Sequence, residues 1–284
     1  MRHFLCLTFF GGLAVLVSSS ARGGEYVQTN IVSDLLGVAP NFDPDLKNPW
    51  GVSFSGSSPF WVSNQGSGTA TLYNALGSPV KQGLTVTIPT AGIGPPTGPT
   101  GQVFNSTTSD FMIPAPGGTT VKSTFLFDTL DGTIQGWNPG SNAGLNSAET
   151  LVTVPHTVFT GLALASSGGA NYLYAANAAG SIMVYDKTFN NVTGTTFANK
   201  FVDPNPVPGF TPYNIQHLSD GNIYVTYAAA TKTGAPLPGG YVDEYDTAGN
   251  FMRRIVTGGP LSPLNAPGAL PSPLPTSASS VTTS

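Results

Sequence analysis

The chain is nearly without cysteine. Its one thiol, Cys6, lies inside an apolar N-terminal stretch, so the remainder has nothing with which to form a disulfide, a thiolate zinc site or a cysteine nucleophile. Charge is almost as scarce: charged residues make up 8% of the chain, and the net charge is −4. With ten Lys and Arg against fourteen Asp and Glu there is no basic face for a phosphate backbone, and nucleic-acid binding is not expected. Sustained helical periodicity is missing outside the first residues. Also missing are the His-x-His and His-Glu-x-x-His patterns of zinc sites, a Gly-x-Ser-x-Gly elbow and a phosphate-cradling glycine loop.

What the chain does contain is turn and core material. Thirty-five Gly and twenty-five Pro punctuate sixteen Phe, ten Tyr and three Trp, a load of aromatics that disordered chains do not carry. Arg2 and His3, the apolar run from Phe4 to Val17 and the small residues Ser19-Ser20-Ala21 form the pattern of a secretory leader spanning 1–21. That run is shorter than the ~20 residues of a spanning helix. A secreted, periplasmic or cell-envelope location is therefore expected, with no transmembrane segment once the leader is cleaved.

One unit recurs four times, as an apolar strand opened by Gly or Pro, a second strand ending in Asn, Asp or Tyr, and a third ending near an aromatic. In the first copy these are 48–54, 60–64 and 68–73; in the third, 160–164, 172–177 and 180–186. Gly51, Gly101, Gly161 and Asn214 head the copies at spacings of 50, 60 and 53 residues, the length of a four-stranded blade with generous loops. The expected fold is all-β, a β-propeller with about four blades near 48–80, 97–141, 158–202 and 211–256 inside one domain, 25–265. The alternating segment Glu25 to Asp34 is expected to supply a closing strand. A β-sandwich accounts for short strands but not for their return at blade length.

Asn48-Pro49-Trp50-Gly51, Phe60-Trp61-Val62-Ser63-Asn64, the 131–137 segment Asp-Gly-Thr-Ile-Gln-Gly-Trp and Pro212-Tyr213-Asn214-Ile215-Gln216 resemble an uncharacterised family of secreted bacterial β-propeller-like proteins, some with a PEP-CTERM sorting signal. The resemblance covers Tyr26 to Pro267 and brings no catalytic residues. It implies further blades after Pro267, so that this chain looks incomplete relative to a six-bladed ring. Here the sequence departs from the pattern, because 268–284 holds no aromatic and no charged residue. The segment 266–284 reads either as a natural low-complexity tail or as a frameshift product, since deleting one base from a run encoding Trp-Gly-Leu-Ala-Leu-Ala-Pro can yield the residues from Gly268 to Leu274.

In antiparallel blades the start of strand one and the end of strand two share a face, which places Asn64, Asp128, Asn177 and Tyr227 together as candidate ligand-binding residues. His217, in a first strand, is expected to face the central channel. Oxygen donors on such a face suit Ca²⁺ or a small polar molecule; the plainer account is that Asn and Asp favour the turns that follow strands. Asp43 with Asp45, and Asp128 with Asp131, read as loop-capping pairs, and Asp243, Glu244 and Asp246 as a solvated edge. Trp50, Trp61 and Trp137 are expected between blades. The leading expectation is a non-enzymatic exported module that binds an unknown small molecule, glycan or protein. One alternative is a Ca-dependent hydrolase or lactonase built on Asn64, Asp128 and Asn177, with His217 as acid or base. Another is a truncated copy that has lost its function.

Overall fold

The computed structural model describes residues 29–75, 79–92, 94, 97–229 and 239–258. The leader-like segment 1–21, the tail 266–284 and the insertion 235–238 lie outside the described residues. Apart from a 3-10 turn at Pro116–Gly118, the described residues form strands, turns and loops, and the fold is all-β.

A parallel ribbon of β1 (Val32–Ser33) and β2 (Asn41–Phe42) precedes the first sheet. The described part of the segment expected to close a ring thus pairs locally, not with a sheet. The first sheet is antiparallel, in the order β3 (Pro49–Ser53), β4 (Phe60–Asn64), β5 (Thr69–Tyr73), β6 (Lys81–Thr87). In the second, β7 (Pro99–Phe104) is followed by a separate hairpin, β8 (Met112–Ala115) with β9 (Thr119–Lys122). The sheet continues through β10 (Phe125–Thr129), β11 (Thr133–Trp137) and β12 (Glu149–Thr153). The third holds β13 (Phe159–Ser167), β14 (Ala170–Asn177) and β15 (Ser181–Tyr185), and the fourth holds β16 (Phe210–His217), β17 (Ile223–Ala229), β18 (Gly240–Tyr245) and β19 (Phe251–Gly258). The first and second sheets run past the expected blade ends at 80 and 141, because each gains an outer edge strand whose half-exposed, polar-rich sequence gives little apolar signal.

The third sheet has three strands where four were expected. After Tyr185 the chain makes one isolated bridge, Tyr185 to Asn191, and then leaves the ladder. Pro204, Pro206 and Pro208 follow, and proline cannot donate to a strand ladder. The loop compensates by inserting Phe197 and Phe201 against Tyr174, at 5.7 and 5.6 Å between ring centroids, within the core that joins the third and fourth sheets. Between the first and second sheets, Trp61 stacks on Phe125 at 4.4 Å and meets Trp137 at 4.7 Å, so these two tryptophans fill an inter-sheet core.

Successive first strands approach backbone to backbone at the glycines that head the repeats. A Cβ on Gly51 would lie 3.1 Å from the Gln102 nitrogen, one on Gly101 2.7 Å from the Gly161 carbonyl carbon, and one on Gly161 2.8 Å from the Asn214 Cα. Each sheet's glycine therefore receives the equivalent stretch of the next sheet, and only a residue without a side chain permits that approach. Asn214 ends this ladder. Among the described residues the four sheets do not close into a barrel.

The expected solvated edge at Asp243 and Glu244 is corrected by the structure. Both carboxylates are buried, Asp243 paired with Arg254 at 2.8 Å and Glu244 with Arg253 at 2.6 Å. Register shifts in the β18–β19 ladder set Arg254 opposite Asp243 and Arg253 opposite Glu244. Arg254 also pairs with Asp203 and lies 3.9 Å over the Tyr241 ring, which ties the proline-rich loop to the fourth sheet.

Candidate functional site

The strand pairings set the second-strand ends as follows: Asn64 opposite Pro49, Thr129 opposite Pro99, Asn177 opposite Phe159 and Tyr227 opposite Pro212. Asn64, Asn177 and Tyr227 hold equivalent places. Asp128 falls one residue short, at a register shift between β7 and β10, and Thr129 takes the equivalent place. Each of the four candidates is hydrogen-bonded within the protein, to a different partner.

Asn177 accepts the Ala179 N–H at 3.0 Å, an Asx turn into the following hairpin. Tyr227 is buried, hydrogen-bonded to the Tyr245 hydroxyl at 2.8 Å and stacked on Tyr241 at 4.3 Å. Burial among these groups pushes its phenol upward, so it stays protonated and serves the core. Asn64 donates to Thr71 at 2.8 Å. Thr71 donates to Tyr73, which donates to the buried Asp43 carboxylate at 2.5 Å. Lys81 bridges Asp43 and Asp45 at 2.6 and 3.0 Å. Burial alone would raise Asp43; the hydrogen bonds from Lys81, Tyr73 and the Asp45 N–H hold it below the usual carboxylate range. This network fastens the loop before β3 to the first sheet.

Asp128 is a clamp between sheets. Its Oδ1 accepts the Gly101 N–H at 2.5 Å, and the single Thr100 hydroxyl proton lies between Asp128 Oδ1 at 2.7 Å and the Phe159 carbonyl at 2.8 Å. The other oxygen has no partner. Complete burial pushes the carboxyl up to about 7 against the pull of those hydrogen bonds. Asn64 Oδ1 is likewise buried without a partner.

His217 lies at the other end of the sheets. It closes β16, opposite Ile223 at the start of β17, whereas Tyr227 sits at the far end of that strand pair. The imidazole is exposed and borders a cavity of about 260 Å³ formed where the later residues of β3, β7 and β16 converge with the middle of β13. The starting ends converge as well: the Trp50 indole N–H is donated to the Thr160 carbonyl at 3.1 Å, and its ring lies 5.6 Å from Tyr213. Trp50 thus spans the starting ends of the first, third and fourth sheets, in addition to the inter-sheet role read for tryptophans in general.

Among the described residues, the cavity lining carries no carboxylate, ammonium or guanidinium. Gln102 is fixed in its wall, donating to Ser53 at 2.7 Å and accepting from Ser63 at 2.8 Å. Phe54 and Phe104 stand at two neighbouring strand ends, with Gln216 beside His217 at a third. Of these residues sequence reasoning singled out His217 alone; the others are brought together by long-range packing that no local motif marks. Among the described residues there is no group of three or more His, Cys, Asp or Glu placed to hold a metal ion. No helix among them is long and apolar enough to cross a membrane.

No protein-family profile matches the chain. It is 32% identical over 245 residues to "Uncharacterized protein R648" of Acanthamoeba polyphaga mimivirus, covering 82% of this chain and 57% of that protein. It is 30% identical over 258 residues to "Uncharacterized protein L690" of the same virus, covering 86% of this chain and 64% of that protein. The chain thus spans about three fifths of the length of these curated relatives. They overturn the expected membership of a secreted bacterial family with sorting signals, since these relatives are viral. Among solved structures, a Bacteroides thetaiotaomicron protein of unknown function aligns with a TM-score of 0.44 and 11% identity, over 76% of this chain and 44% of that one. The computationally designed Ika4 protein aligns with a TM-score of 0.36 and 16% identity, over 78% and 99%.

Proposed function

We propose that this chain is a non-enzymatic binding module whose four sheets are blades of an incomplete ring, and whose site is the cavity lined by their first strands. The observation that carries the reading is the lining itself: four separate sheets contribute to one concavity, and the polar groups they bring are amides, hydroxyls and one imidazole. Such groups orient a ligand by hydrogen bonds but supply neither a paired acid and base nor an activated nucleophile. Its volume lies just below the ~300–1,000 Å³ typical of pockets that enclose a drug-sized molecule, which suits a small ligand or one protruding group. The leader-like segment 1–21 supports export as part of the same reading.

A thermal-shift screen of small neutral molecules against the full chain and its Ser106→Trp variant tests this proposal. Ser106 is exposed at the cavity, so an indole there fills the space without disturbing the core. Compounds that stabilise the parent and not the variant are the expected outcome. Equal shifts in both proteins, or none in either, contradict it.

A further inference from the structure

The chemistry of the cavity also defines what it takes. Gln102 is almost wholly buried, and its side-chain nitrogen has two N–H groups, of which one is donated to Ser53; its carbonyl accepts from Ser63. The second N–H and the second carbonyl lone pair have no hydrogen-bond partner among the described residues, and both serines hold the amide in place. At the rim, Gln216 is half-buried with its side-chain amide unengaged among the described residues, and His217 is exposed. Two first strands, β7 and β16, thus present donors and acceptors to the cavity. Around them stand apolar surfaces: the Phe54 ring, 47% exposed, the half-buried Phe104 ring and Leu164.

We infer that the cavity binds one neutral sugar ring, its hydroxyls meeting Gln102, Gln216 and His217 and its C–H face lying on the phenylalanines. Three physical arguments converge on this class. Among the described lining residues a carboxylate or phosphate finds no Lys or Arg, and an ammonium finds no Asp or Glu, so a charged ligand would lose its hydration without a permanent counter-charge there. A wholly apolar ligand would strand the fixed Gln102 amide, and an unpaired buried amide is unfavourable. A sugar ring carries alternating O–H donors and acceptors on its edge and polarised C–H groups on its face, and the electron-rich face of a phenylalanine attracts those hydrogens. The inference rests on the binding-module reading and narrows it to a ligand class.

Saturation-transfer NMR on the full chain with glucose, galactose and N-acetylglucosamine as probes tests it. A ligand of about a dozen non-hydrogen atoms at ordinary ligand efficiency binds with a Kd on the order of 1 mM, within reach of the method. The expected result is transfer to the ring C–H protons of at least one probe, weakened about fivefold or more by Phe54→Ala and by Gln216→Leu. Phe54 is exposed and the Gln216 side chain has no hydrogen-bond partner among the described residues, so both variants keep the described core intact. Transfer that neither variant weakens places the sugar elsewhere and overturns the inference. If no sugar binds but another neutral compound stabilises the parent and not Ser106→Trp, the ligand class is wrong while the binding-module reading stands. Should nothing bind at all, both fail.

Discussion

Asp128 accepts the Gly101 N–H at 2.5 Å from within a site that excludes water entirely, and its second oxygen meets no donor. An acid in that position is easier to bury neutral than charged. With its pKa moved from 3.8 to about 7, the folded state holds a proton that the unfolded state releases near pH 4. Stability is therefore highest below the unfolded pKa, falls as pH rises between about 4 and 7, and is flat above, with a total change on the order of 4 kcal/mol. Asp128→Asn keeps an oxygen for Gly101 and Thr100 and removes the charge. We expect urea-unfolding midpoints of this variant to lose that downward slope and to exceed the parent at pH 8; parallel pH profiles would refute the assignment.

Asp43 has the opposite sign. Its carboxyl is held below the usual range, so the stability it contributes is present above the unfolded pKa and lost as pH falls through the lower folded value. Lys81→Met leaves the buried carboxylate without its cation. The loss is expected to be on the order of 1–3 kcal/mol at pH 7 and to shrink in acid, as read by chemical denaturation. A deficit that is independent of pH would point to lost packing instead.

The glycine ladder makes a third prediction. Gly101→Ala would bring a methyl group 2.7 Å from both Asp128 Oδ1 and the Gly161 carbonyl carbon, where backbone cannot yield without separating two sheets. A loss of about 3 kcal/mol or more is expected. Gly83 in β6 has nothing within 4 Å of its Cβ position, and Gly83→Ala should change stability by no more than about 0.5 kcal/mol. Similar thermal unfolding of the two variants would dismiss the ladder.

Trp50→Phe keeps an aromatic against Tyr213 but deletes the donor to the Thr160 carbonyl. A loss of about 1 kcal/mol in denaturant-induced unfolding is expected. Trp137→Phe is expected to cost more, because Trp137 is buried in the core between the first two sheets and also donates to the Leu145 carbonyl at 2.8 Å. The reverse order would remove Trp50 from its bridging role.

Strand content was legible because it is written locally. The four strand triplets, and the hairpin turn at Asp131-Gly132, follow from alternation and turn residues, and the repeat spacing picked out Gly51, Gly101, Gly161 and Asn214 before their packing was visible. The outer strand absent from the third sheet was hidden because aromatic loop residues can fill the same core as a strand. Among the candidate site residues, Asn177 is a turn residue, Tyr227 a core residue and Asp128 a clamp. Their roles depend on partners between 2 and 28 residues away, and residue type does not distinguish these cases. Asp243 and Glu244 were misread for the same reason: a run of acids looks solvated until Arg253 and Arg254 are seen opposite them. The cavity was out of reach, since Phe54, Phe104, Leu164 and Gln216 meet only through the convergence of four sheets.

The most direct test of the account is to map binding on the backbone amide spectrum of the ¹⁵N-labelled full chain while titrating the best compound from the neutral screen. Shifts concentrated at Phe54, Gln102, Phe104, Leu164, Gln216 and His217, with Asn64, Asn177 and Tyr227 unmoved, are the expected result. Shifts centred on Asn64, Asn177 and Tyr227, with the cavity residues silent, would contradict it.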